Sequence, residues 1–96
     1  MMEKDIIKEL SNCKQRLRQE FGIDKIALFG SFARGEAHSK SDVDIVIISM
    51  QNKNYFTLLK AKVFLEKVLH KKVDLGFFDA LKPYVKDEVR KDLIYV

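Results

Sequence analysis

Asp42 and Asp44 stand two positions apart at the edge of an apolar run, DIVIIS, residues 44–49. On an extended strand, residues at that spacing point to the same face. Two carboxylates about 4 Å apart repel by about 4 kcal/mol at an effective dielectric near 20, so the pair calls for a cation. Magnesium held jointly by carboxylates and substrate phosphates meets that need. Upstream lies Gly30-Ser31, followed by Arg34 and Gly35. A glycine lets the backbone turn sharply and approach a ligand closely. Ser31 can begin a short helix whose amides face an anion, and arginine presents a charged fork to phosphate oxygens. Glycine, hydroxyl and arginine converging on one place suit a polyphosphate. The sequence is not a Walker motif, because Glu36 and Ala37 stand where that motif has lysine and a hydroxyl.

A third carboxylate would complete a two-metal clamp for in-line displacement at phosphorus. Asp74, in KVDLG, is the acid within a third apolar run. If its strand lies beside the second, Asp74 joins the pair and becomes the candidate base for the incoming nucleophile, directly or through its metal. Asp79 lies past that run and is the weaker candidate. His38 falls in the loop between the glycines and the aspartates, and His70 at a helix end. Neither has a second ligand beside it in the sequence, and both read as incidental. Lys82, Lys86 and Arg90 recur every four residues, which reads as a solvated helix face rather than a nucleic-acid footprint.

The elements that must position these residues alternate between helix and strand. Residues 3–20 read as a helix, with Ile6, Leu10, Cys13 and Leu17 on one face and Gly22 as its stop. Residues 25–30 form a short strand ended by glycine. The β-branched run 44–49 reads as a buried central strand. Residues 51–54 supply a turn and a cap, 54–70 a helix, 72–78 a third strand, and Pro83 starts a last helix over 83–92. A short link between the first two strands allows antiparallel pairing, whereas the helix between the second and third allows a parallel crossover. The expected fold is therefore α/β (α+β), a small mixed sheet flanked by helices, in a single domain spanning 1–96. The helix over 54–70 carries two apolar stripes. Leu58, Ala61, Leu65 and Val68 cover the sheet. Phe56, Leu59 and Val63 are expected to fill core under the flanking helices, the alternative being a docking surface.

Composition limits the function classes. Ninety-six residues carrying a formal charge of +4 support one modest core rather than an enclosed cavity with a lid domain. The mild basicity favours anionic partners such as nucleotides, while scattered lysines argue against direct nucleic-acid binding. A single cysteine, Cys13, excludes an internal disulfide and a cysteine-rich zinc site. No signal-peptide pattern or membrane-length apolar run is present, so no membrane association and a cytoplasmic location are expected.

The stretch GSFARGEAHSKSDVDIVI, residues 30–47, resembles the signature of the DNA polymerase beta-type nucleotidyltransferase superfamily, in particular its minimal nucleotidyltransferase (MNT) branch. The resemblance covers the whole chain and implies the nucleotidyltransferase fold. It also implies that Gly30 and Ser31 hold the triphosphate of ATP, helped by Arg34 and the backbone at Ser41. Asp42 and Asp44 would bind magnesium, with Asp74 as the third acid. The larger helical region by which bigger relatives bind RNA, DNA or an antibiotic has no counterpart in these residues. The resemblance extends to antitoxins of HEPN/MNT pairs, which silence a helical HEPN ribonuclease by attaching AMP to a tyrosine. Adenylylation of such a toxin is thus the leading expectation. A catalytically idle antitoxin acting by contact alone is the alternative. A tRNA- or drug-modifying transferase is disfavoured by the short chain. Homo- and hetero-oligomers both remain open.

Overall fold

The computed structural model describes residues 3–38 and 41–96. Helix α1, Glu3–Phe21, places Ile6, Leu10, Cys13 and Leu17 in the core. It stops at Gly22, whose φ of +67° is the left-handed conformation that a side chain disfavours. The Gly22 N–H closes the helix on the Arg18 carbonyl at 3.1 Å. Strand β1, Ile23–Phe29, runs into the one-turn helix α2, Gly30–Ala33. Strand β2, Val43–Met50, leads to helix α3, Tyr55–Leu69. Asn54 caps α3, its Oδ1 accepting from the N–H groups of Phe56 and Thr57 at 2.8 and 3.2 Å. Strand β3, Val73–Phe77, is followed by a 3₁₀ turn at Phe78–Ala80, helix α4, Pro83–Asp92, and strand β4, Ile94–Tyr95.

The strands form one sheet in the order β3-β2-β1-β4. β1 is antiparallel to both β2 and β4, and β2 is parallel to β3. The mixed sheet expected from the link lengths is present, with the β-branched strand β2 between two neighbours. Its residues Val43, Ile45 and Ile47 join Val73 and Leu75 of β3 in one core cluster with the buried residues of α1 and α3. These helices therefore cover one face of the sheet, and Asp42, Asp44 and Asp74 belong to the other by alternation.

Two expectations need correction. The inner stripe of α3 is Leu58, Ala61, Leu65 and Leu69, with Val68 only half-buried at its margin. The second stripe does not enter the core: Phe56, Leu59 and Val63 are 67%, 42% and 51% exposed. One stripe suffices to cover the sheet face, and among the described residues no flanking helix buries the other. Strand β4, which the sequence reading left as an unassigned tail, adds an edge to β1 through Ala27 opposite Tyr95 and Leu28 opposite Ile94.

Candidate active site

The register of β1 and β2 sets Phe29 opposite Asp44, so the chain turns into α2 beside that carboxylate. Gly30 makes the turn with φ of +76°. A Cβ at this position would overlap the Asp44 carboxylate. Both the backbone angle and the close approach to Asp44 therefore require glycine.

The parallel register of β2 and β3 sets Asp44 directly beside Asp74. Asp42, one residue before β2, lies on the same face two positions from Asp44. The placement of Asp74 beside the aspartate pair, which rested on a guess about strand order, agrees with the observed sheet. Asp44 is half-buried, whereas Asp42 and Asp74 are exposed. Burial pushes the Asp44 carboxyl above the ordinary carboxylate range; the negative charges of Asp74 and Asp42 push it the same way, and Arg34 opposes them. Among the described residues, no three histidine, cysteine or acidic side chains are drawn together as a ready-made metal site. The carboxylates share a face without converging.

The phosphate-binding side departs from expectation in two details. Arg34 is engaged elsewhere, with its Nε 3.2 Å from Glu36 Oε2 and its Nη1 2.9 Å from Asp92 Oδ2 at the end of α4. The Ser41 backbone N–H donates to the His38 carbonyl at 2.9 Å, while Ser41 Oγ accepts from the His38 N–H at 3.0 Å. These bonds tie Ser41 to His38 ahead of the aspartates. Ser31 sits half-buried in α2, a helix that no side chain caps. Asp92 was missed by the sequence reading; it lies 58 positions from Arg34, and nothing local marks the pairing.

The remaining charged candidates are engaged in other contacts. Asp79 is bound by Lys53 Nζ at 2.7 Å, which lowers its carboxyl pKa. His70 is the left-handed cap of α3, with φ of +55°. Lys86 and Arg90 of the proposed solvated stripe lie over the Phe78 ring at 5.7 and 5.4 Å.

Comparison with known proteins places this arrangement in a class. Residues 10–96 match the nucleotidyltransferase domain family, and the chain belongs to that family; its activity class is nucleotidyl transfer. Within the class it matches the minimal branch. A solved minimal nucleotidyltransferase, provisionally so described, superposes with a TM-score of 0.79 at 25% identity, covering 98% of this chain and 95% of its own. A Methanocaldococcus jannaschii relative with the provisional name protein adenylyltransferase is 37% identical over 94 residues, covering 97% of this chain and 93% of its own. Protein adenylyltransferase MntA of Thermococcus cleftensis is 35% identical over 83 residues, covering 86% and 84%. The fold is also that of an MNT antitoxin in complex with a tri-AMPylated Shewanella oneidensis HEPN toxin, with a TM-score of 0.61 at 20% identity, covering 97% of this chain and 66% of that one.

Proposed function

We propose that this nucleotidyltransferase transfers AMP from ATP to a tyrosine hydroxyl of a HEPN-type ribonuclease in the cytoplasm, and so acts as the antitoxin of a pair. The observation that carries the reading is the side-by-side register of Asp44 and Asp74, with Gly30 pressed against Asp44 where only a glycine fits. The relatives named protein adenylyltransferase support AMP as the group and a protein as the acceptor. The described residues include no helix long and apolar enough to cross a membrane.

The donor set suits a hard divalent cation. All three groups are carboxylates; burial first, and then the negative charges of Asp74 and Asp42, raise the Asp44 carboxyl, a conflict that a cation relieves. Asp42, Asp44 and Asp74 would hold magnesium, with Asp42 and Asp74 turning inward from their exposed positions. When bound, it offsets charge on the phosphates and on the carboxylates. Gly30 and Ser31 receive the polyphosphate at the end of β1. Arg34 joins them by leaving its two carboxylate partners, and the Ser41 amide by leaving the His38 carbonyl. The tyrosine oxygen attacks the α-phosphorus while its proton passes to Asp74. The bond from that phosphorus to the bridging oxygen breaks, and pyrophosphate leaves with the electron pair.

Intact-mass spectrometry tests this reading. The HEPN partner incubated with the protein, ATP and magnesium is expected to gain one or more AMP units, and to gain none with Asp42→Asn. A partner whose mass never changes while its ribonuclease activity is still suppressed would establish the contact-only antitoxin instead.

A further inference from the structure

We propose that Lys72 belongs to the acceptor half of the site, where its ammonium pairs with an acidic side chain next to the attacking hydroxyl. The inference rests on the transfer reaction above and adds the chemistry by which the acceptor is recognised. Val43 lies opposite Val73 and Asp44 opposite Asp74. The Val43 N–H donates to the Lys72 carbonyl at 2.9 Å, the bond that opens the Val43–Val73 pair. The register carried back one residue from that pair sets Lys72 beside Asp42. Lys72 is the residue just before β3, and the strand's alternation carried back one step puts it on the face of Asp74. The adjacent lysine goes the other way: Lys71 Nζ lies 5.5 Å from the ring centre of Phe32, a core residue. Lys72 is exposed, and among the described residues its ammonium makes no ion pair.

The order of strands decides which substrate Lys72 meets. β2 lies between β3 and β1, so Gly30 at the end of β1 and Lys72 at the start of β3 flank the aspartate pair from opposite sides. In-line displacement places the attacking and leaving oxygens on opposite sides of phosphorus. With the polyphosphate at Gly30 and Ser31, the acceptor enters from the β3 side. That side is open, since a Cβ at Gly76, next after Asp74 on the same face, would meet nothing within 4 Å. Three carboxylates on this face repel an acidic acceptor segment, and a lysine on its flexible stem supplies the counter-charge where that segment arrives.

The test uses the full chain, its HEPN partner, ATP and magnesium, with initial rates of AMP incorporation read against partner concentration. Lys72→Ala is expected to raise the KM for the partner about tenfold, the loss typical of one charge-assisted hydrogen bond. The dissociation constant for magnesium-ATP, read by calorimetry, and the melting temperature are expected to stay at the wild-type values. Lys72→Arg should recover most of the loss and Lys72→Glu deepen it. Added salt should raise the wild-type KM but barely move that of Lys72→Ala. An unchanged partner KM in Lys72→Ala, or a weakened nucleotide affinity with the partner KM intact, overturns the assignment. A wild type that adds no AMP to its partner removes the proposed function itself, and this inference with it.

Discussion

The two faces of β2 are built on opposite principles from alternate residues of one segment. Val43, Ile45 and Ile47 face α1 and α3 and are at most 2% exposed; a side chain of this kind, fully buried, contributes about 1.5–3 kcal/mol. Asp42 and Asp44 face the other way, beside Asp74, where burial and like charge both oppose ionisation of Asp44. One face stabilises the domain, and the other carries a conflict that the fold must withstand. The candidate site residues share a backbone with the core. The sheet register that packs Ile45 against the helices also sets Asp44 beside Asp74.

Adjacent residues should therefore fail in opposite ways. Asp44→Asn is expected to reduce AMP transfer about 10²- to 10³-fold, the usual cost of losing a central electrostatic stabiliser, without lowering the melting temperature. Ile45→Ala is expected to cost about 2–5 kcal/mol of stability through the cavity it leaves, measured by urea denaturation. If Asp44→Asn unfolds the domain, or Ile45→Ala leaves its stability untouched, the division of labour between the faces is wrong.

A smaller effect sharpens the same contrast. Asp44 holds its proton more tightly folded than unfolded, since its carboxyl is raised in the native state. Its ionisation thus costs stability at neutral pH. That cost disappears as pH falls through the raised value and is fully gone below the ordinary carboxylate value. Without divalent cations, Asp44→Asn should melt above the wild type at neutral pH, and the gap should close on acidification. A gap that widens toward acid would mean that Asp44 is a net stabilising charge.

Much of this was legible in the sequence because it is written locally. Glycine before a short helix, aspartates at a spacing of two and β-branched alternation each reflect constraints within a few residues. The helix between the second and third strands allowed a parallel crossover, but that β3 adjoins β2 and sets Asp74 beside Asp44 is given by the sheet. What escaped depends on distant pieces of chain. β4 has two residues, Ile94–Tyr95, too few for any periodicity, and exists only because β1 has an open edge. The stripe of Phe56, Leu59 and Val63 has helical spacing, but spacing cannot tell whether another element lies above it. The resemblance assigns the Ser41 backbone to phosphate, yet its N–H donates to the His38 carbonyl.

Arg34 is the sharpest of these cases and leads to the smallest expected effect. Its guanidinium is divided between Glu36, two residues away, and Asp92, at the end of α4. Both pairs are at the surface, where such contacts are weak and screened, so the proposed role of Arg34 on the nucleotide requires only that they be exchanged for phosphate oxygens. The exchange still subtracts from affinity, because one arginine cannot serve all three anions at full strength. Asp92→Asn is expected to tighten magnesium-ATP binding about two- to fivefold by calorimetry. In an Arg34→Ala background the same substitution should have no effect, since the two residues then no longer share a partner. If Asp92→Asn instead weakens nucleotide binding, Asp92 aims Arg34 at the phosphates rather than competing for it, and α4 becomes part of the site rather than a restraint on it.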